Sequence, residues 1–346
     1  MFAPRSRTRE CVGLAAVAGW LVVAGACSHP PPTPAQAAKG VERREEWLGA
    51  LQSDLERIGA NDGFEGQVRV LHAGKPEIDR TYGNASCLPL GAGRRMLTTV
   101  AVAALVDDGK LGFEDRIDRR LTALEKSSLG KLSVADLLTD SAGMAVTAGD
   151  SVAERLDEAA KVPLQAPPGT RVDPDDERPW LLLERVVASV SATSFDKFVQ
   201  DRVLGRAGMS ATTLAATPAC PEAKTGTTTL EDQFRLVEAI RSGKLFGPAI
   251  RDALFLPRLP LGPGSDVGYG FFVRTRGDER AVGISSYGTT TAYDLWLDSA
   301  GTDALVLLGR TQPKTARGIR TALGEFYALP PGPPHSSAPA HRSPGR

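Results

Sequence analysis

Apolar residues return along this chain in two rhythms, every second position near its ends and every third or fourth between them. Trp47, Leu51 and Leu55 share one face of a helix predicted over 41–60, with acids and bases on the other face. Phe64-Glu65-Gly66-Gln67-Val68-Arg69-Val70-Leu71 alternates like a strand; Ala73-Gly74-Lys75-Pro76 turns, and 78–82 returns as a hairpin partner. The segment 96–108 is strongly apolar and predicts a buried helix. Further helices are expected at 180–191, 195–204 and 230–240. Strand patterns resume at 268–273, continue through 281–287, 292–297 and 304–308, and give way to a final helix over about 315–327. Strands, then many helices, then strands predict an α+β fold. It would be one antiparallel sheet built from both chain ends and flanked by helices, with a mostly helical subdomain inserted over about 112–255.

The chain's ends add processing signals. Arg5, Arg7 and Arg9 precede an apolar run over 12–26 that finishes Ala24-Gly25-Ala26-Cys27, so 1–27 reads as a signal peptide. A cysteine directly after small residues resembles a bacterial lipobox, although the usual leucine three residues earlier is Ala24 here. That resemblance implies lipid attachment at Cys27 and a membrane partner at the periplasmic face of the cell envelope. Ser28 favours the outer membrane, and simple secretion is the other reading. The run is shorter than the ~20 apolar residues that span a bilayer. Residues 28–42, with Pro30-Pro31-Pro32 and Pro34, read as a Pro-rich tether, and 329–346 as a disordered tail. The folded domain is therefore expected over 43–328.

Composition removes several function classes. The 346 residues carry 41 basic and 41 acidic side chains, a balance with no electrostatic footprint for nucleic acid. Of the histidines, His29, His335 and His341 lie in the tether and tail, and only His72 lies in the domain. A Ser-His-Asp triad therefore lacks a convincing base, and zinc lacks ligands; no metal or cofactor is expected. Asp173, Asp175, Asp176 and Glu177 lack the glycine spacing of a calcium loop and read as a solvated acidic loop. Cys87 and Cys220 are the domain's cysteines, forming either one disulfide or two separate buried thiols.

Candidate chemistry centres on Leu90-Gly91-Ala92-Gly93-Arg94-Arg95, which leads into Leu105-Val106-Asp107-Asp108-Gly109-Lys110-Leu111. These runs resemble the two ends of the nucleophile helix in serine β-lactamases and penicillin-binding proteins, with their class C β-lactamase, D-Ala-D-Ala carboxypeptidase and esterase relatives. In that family a Ser-x-x-Lys box stands about ten residues before the leucine-valine helix end; the Ser is acylated and the Lys helps take its proton. Counting back from Leu105-Val106 puts Ala92 in the Ser position and Arg95 in the Lys position. A methyl group cannot attack a carbonyl, and a guanidinium keeps its proton.

The resemblance extends along the domain. It covers the hairpin ending at Tyr82-Gly83, the segment Leu137-Leu138-Thr139-Asp140-Ser141-Ala142-Gly143-Met144, Pro167-Pro168-Gly169, and Gly208-Met209. Only Asn84 to Leu90 separates the hairpin from the first box, which shortens one wall of the usual cleft. The family's Tyr-x-Asn box falls on Val172-Asp173-Pro174-Asp175-Asp176-Glu177-Arg178, with Asp175 at the matching site and no tyrosine between Tyr82 and Tyr269. Its Lys-Thr-Gly or His-x-Gly box falls on Ile284-Ser285-Ser286-Tyr287-Gly288-Thr289, where Ser286 takes the cationic position and Gly288 keeps the glycine.

Three short matches compete. Lys224-Thr225-Gly226 spells the third box but precedes a helix, while Ser128-Leu129-Gly130-Lys131 and Ser194-Phe195-Asp196-Lys197 fit Ser-x-x-Lys. Ser194 suits a helix N-cap better than a nucleophile. Arg94 and Arg95 are candidate anion ligands at a helix N-terminus, or structural arginines. Tyr287 and Tyr293, beside Ser285 and Ser286, line a polar groove or merely alternate along strands. The resemblance implies a catalytically inactive, β-lactamase-related envelope lipoprotein that binds a cell-wall peptide or envelope protein, or scaffolds. The alternative is an active serine hydrolase acting on β-lactams, peptidoglycan peptides or esters through a non-standard site.

Overall fold

A computed structural model describes residues 46, 48–58, 63–72, 75–276, 279–287, 291–298, 304–312 and 315. The alternating segment becomes β1 (Glu65–His72), paired antiparallel with β2 (Lys75–Tyr82) in a register that sets Val70 opposite Ile78. On the other edge of β1 lies β8 (Ala304–Arg310), with Val68 opposite Leu307. Five more antiparallel strands complete an eight-stranded sheet in the order β2-β1-β8-β7-β6-β5-β4-β3. They are β3 (Leu259–Gly262), β4 (Ser265–Val267), β5 (Phe272–Arg276), β6 (Glu279–Tyr287) and β7 (Thr291–Asp298). The β1–β8 pairing joins the two chain ends into one sheet.

Each face of the sheet buries a different apolar set, as the pleat requires. Leu305 and Leu307 of β8 meet Val68, Val70, Trp296 and, from helix α1 (48–58), Leu51 and Leu55. Val306 and Leu308 face the larger core, which is built on helix α2 (Gly93–Asp107). Met96, Leu97, Val100, Val102 and Leu105 are essentially inaccessible, so α2 is buried on every face from Met96 to Leu105 and runs through the core. At about 1.5–3 kcal/mol for each fully buried aliphatic side chain, this helix anchors the fold.

Between the strand groups come α3 (Val134–Leu138), α4 (Val152–Ala159), α5 (Arg178–Ser191), α6 (Phe195–Val199), α7 (Gly205–Ala207), α8 (Leu230–Arg241) and α9 (Pro248–Leu254). A π-helical turn, Gln200–Leu204, links α6 to α7. Hydroxyls cap four of these starts: Ser133, Ser151, Ser194 and Thr229 each accept a backbone N–H from the third residue on. The hairpin β3–β4 has no counterpart in the sequence pattern. Pro260, Gly262, Pro263 and Gly264 suppress the alternation, and the proline is tolerated because β3 is the sheet's outer strand. The strand expected from 268 begins instead at Phe272, because Gly268 to Phe271 bends against α2. At Gly270 (φ 76°) a Cβ would fall 2.0 Å from Thr99 Oγ1, so only glycine fits.

Cys27 with the signal segment, the tether 28–42, Gly288, the final helix beyond Thr315 and the tail 329–346 lie outside the described residues. Among the described residues, no helix is long and apolar enough to cross a membrane.

Candidate functional site

The start of α2 faces β6 and the 173–177 loop, and the chain reaches it through a stapled approach. Cys87 and Cys220 are joined by a disulfide, Cα–Cα 5.7 Å, which ties the 87–90 segment to the 217–226 loop. Leu90 N–H donates to Gly226 O (2.8 Å), and Thr228 N–H to Leu88 O (3.0 Å). Gly93 opens the helix in close quarters, where a Cβ would meet Leu90 Cδ1 at 2.7 Å and Tyr293 Cε2 at 2.8 Å.

Ala92 is the N-cap of α2 and supplies no side-chain hydrogen bond. The first-turn donors are already used: Gly93 N–H bonds Leu90 O, Arg94 N–H bonds Gly91 O, and Arg95 N–H bonds Ala92 O. The helix end therefore offers little to an incoming anion.

The two arginines differ sharply. Arg94 grips Glu184 of α5 at two points (Nε–Oε1 2.7 Å, Nη2–Oε2 2.9 Å), reaches Asp196 (3.0 Å), and lies 5.0 Å from the Phe195 ring centroid. Its guanidinium is held above the usual range by those two carboxylates, against the opposing effect of burial, and it is structural, not a free anion ligand. Arg95 forms no ion pair among the described residues. It donates to the carbonyls of Pro174 (2.7 Å) and Asp176 (3.5 Å) and stacks 5.3 Å from the Trp180 ring centroid.

Asp140 stands behind Arg95. The carboxyl is buried, accepts Trp180 Nε1–H at 2.9 Å, and belongs to a residue at φ 50°. Burial pushes its pKa up to about 7; Arg95 and the Trp180 hydrogen bond oppose the rise, while Asp176 and Asp173 add to it. Sequence patterning passed over this residue, although an acid flanked by Leu137, Leu138, Ala142 and Met144 is the available signal. The resembling family segment carries histidine at its position.

Arg95, Asp140, Trp180, Phe271, Ser285 and Ser286 enclose a cavity of about 20 Å³. That is room for about one water, not for a peptide or a β-lactam. Among the described residues, Ser285 and Ser286 on β6 supply the only hydroxyls in its lining, and no lysine or histidine lines it. Asp175 sits exposed on its loop; main-chain carbonyls of the flanking residues, not its carboxylate, meet Arg95. Tyr293 is buried and donates to Gln233 Oε1 (2.6 Å), with its pKa raised by burial, so it packs the core and lines no groove. The side chains of Tyr287 and His72 lie outside the described residues, as does Gly288.

The competing motifs resolve into structural parts. Ser194 caps α6 by accepting Lys197 N–H (3.3 Å), and Ser128 Oγ donates to Val162 O (2.8 Å). Lys224-Thr225-Gly226 lies in the loop stapled by Cys220 and not on a strand. Among the described residues, no group of three metal-ligating side chains converges. The acidic loop is knitted inward by Arg178, which grips Asp176 at two points (2.8 Å each).

Comparison with known proteins agrees with this architecture. The sequence model of the family described as Beta-lactamase matches residues 66–308. A penicillin-binding protein from Bacillus halodurans superimposes with a TM-score of 0.65 at 18% identity, covering 80% of this chain and 99% of that one. A class C β-lactamase from Rhodobacter sphaeroides gives 0.65 at 14% identity over 80% and 99%. A D-stereospecific amidohydrolase from Streptomyces sp. gives 0.66 at 15% over 82% and 99%. No curated protein sequence matches the chain.

Proposed function

This chain belongs to the beta-lactamase family, and from that premise we propose that it is a catalytically inactive member, retained in the cell envelope as a binding or scaffolding protein. The observation that carries the reading is what occupies the head of α2. A methyl group stands at Ala92, and one turn on the Arg95 guanidinium is committed to the carbonyls of Pro174 and Asp176. Acyl transfer needs a nucleophile and a base that can give up and take a proton; neither residue can. The cleft of about 20 Å³ supports the same reading, since substrate has no room beside α2.

The envelope placement rests on the lipobox-like run ending at Cys27, which would attach the chain to a membrane at its periplasmic face. The Cys87–Cys220 disulfide suits an oxidising compartment. The partner is a cell-wall peptide or an envelope protein.

The test is labelling of the purified protein with a fluorescent penicillin and a fluorophosphonate. No covalent label is expected, nor any in the Ala92→Ser/Arg95→Lys double variant, which still lacks the family's tyrosine. Label that disappears on substitution of one serine would overturn the proposal and revive the hydrolase reading. For the anchor, Cys27→Ala is expected to move the chain from the membrane to the soluble fraction; unchanged membrane association refutes lipidation at that residue.

A further inference from the structure

Arg95 and Asp140 share the filled cleft yet are not paired with each other. Arg95 holds the 173–176 segment through main-chain carbonyls alone, at 2.7 Å from Pro174 O and 3.5 Å from Asp176 O. Asp140 is tied to the same segment from behind, because its own carbonyl accepts Asp173 N–H at 2.7 Å. Asp140 lines the cavity with Arg95, and its carboxyl accepts Trp180 Nε1–H. A carboxylate offers a guanidinium a full opposite charge and a two-point fit that a neutral carbonyl lacks. Arg95 therefore has a better partner within reach of the cavity whenever Asp140 carries charge.

We propose that Asp140 and Arg95 form a proton-controlled latch on the 173–176 segment. With Asp140 protonated, Arg95 stays on the two carbonyls and the segment closes the cleft. With Asp140 ionised, its proton passes to solvent, Arg95 turns to the carboxylate, and the segment is released, admitting water to the cavity. The latch is independent of the inactive reading; what enters the opened cleft rests on the binding role proposed above.

Among the described residues, the charged groups acting on Asp140 each have a place in the scheme. From α2 comes Arg95, and from the segment come Asp173 and Asp176, the latter matched by Arg178 (2.8 Å). Trp180 faces it from α5, and Asp136 of α3, four residues earlier in the chain, is bonded to Ser133. Among the described residues the sheet side is Val267, Gly270, Phe271, Ile284, Ser285 and Ser286, with no ionisable group. Closed, the buried carboxyl holds its proton up to about pH 7; opened to water and paired with Arg95, it titrates no higher than the ordinary value of about 4. Opening is therefore favoured as pH rises between those values, about tenfold per pH unit, and is independent of pH above them.

Hydrogen exchange on the full chain, corrected for intrinsic rates, tests this at the amides of Asp173 and Asp176, both hydrogen-bonded when the segment is closed. Between pH 5 and 7 the opening constant is expected to rise about a hundredfold and then level off. Asp140→Asn, whose side chain suits the same left-handed backbone, is expected to remove the rise. Arg95→Gln is expected to leave both amides fast at every pH. A flat wild-type profile overturns the proposal whatever the variants do, and so does an undiminished rise in a folded Asp140→Asn protein. Penicillin labelling is a separate readout, so failure of the latch and failure of the inactive reading can be told apart.

Discussion

Arg94 and Glu184 form a two-point ion pair, Nε to Oε1 at 2.7 Å and Nη2 to Oε2 at 2.9 Å, that joins the first turn of α2 to the middle of α5. The two side chains keep 22% and 17% of their exposure, so removing one strands the other in a largely dry setting. Glu184→Gln is expected to lower unfolding stability by about 2 kcal/mol. Asp196→Asn removes only the outer contact, at 53% exposure, and is expected to cost under about 0.5 kcal/mol. Urea melts of the two variants check the contrast, and equal losses would refute it.

The disulfide between Cys87 and Cys220 spans a sequence separation of 133 residues. Closing so long a loop restricts the unfolded chain by about 3–5 kcal/mol. Reductant is expected to drop the wild-type urea midpoint to that of the Cys87→Ser/Cys220→Ser variant, which itself ignores reductant. A wild-type midpoint unmoved after complete reduction would remove the staple from the account.

Gly226 completes a tempting tripeptide, but its role is conformational. At φ 103° a Cβ would lie 2.0 Å from Thr213 O, against backbone that cannot swing aside. Gly226→Ala is expected to destabilise by about 2 kcal/mol or more. Lys224→Ala and Thr225→Ala, on exposed side chains, should stay within about 0.5 kcal/mol. Thermal melts of the three variants separate a turn from a catalytic box.

Asp140 gives stability an unusual pH slope. Its carboxyl titrates near 7 in the folded chain, against about 4 when unfolded, so the folded state holds the proton more tightly. Its contribution is complete below about pH 4, falls as pH climbs toward about 7, and changes no further above that. Relative to Asp140→Asn, the wild type is expected to lose roughly 1.4 kcal/mol per pH unit inside that window. Urea melts at pH 4.5, 6 and 7.5 measure the difference, and parallel curves would contradict it.

Much of the fold is legible in local pattern. Alternation over 64–71 marks β1, and the run after Arg95, apolar but for Thr98 and Thr99, marks the buried helix, because burial on one face or on all faces leaves different spacings. The head of α2 was equally legible, since Ala92 and Arg95 follow by counting from Leu105-Val106. The β3–β4 hairpin was not, because an outer strand tolerates the prolines and glycines that erase alternation. Nor was the tyrosine pair: Tyr293 proves to be core, a distinction that depends on Gln233 of α8 lying opposite it.

The amino-acid sequence by itself determined the family fold and which side chains, Ala92 and Arg95, stand at the head of the buried helix, because residue identity at a helix position needs no neighbours to interpret. Only the tertiary structure decided what the replacements do. Arg94 and Arg95 are adjacent and alike, yet one meets Glu184 and the other meets two carbonyls, since successive helix residues point about 100° apart toward different partners. Asp140 acquires its high pKa only from the walls that exclude water around it, and those walls come from α2, α5 and the sheet. Such an environment belongs to no single stretch of chain.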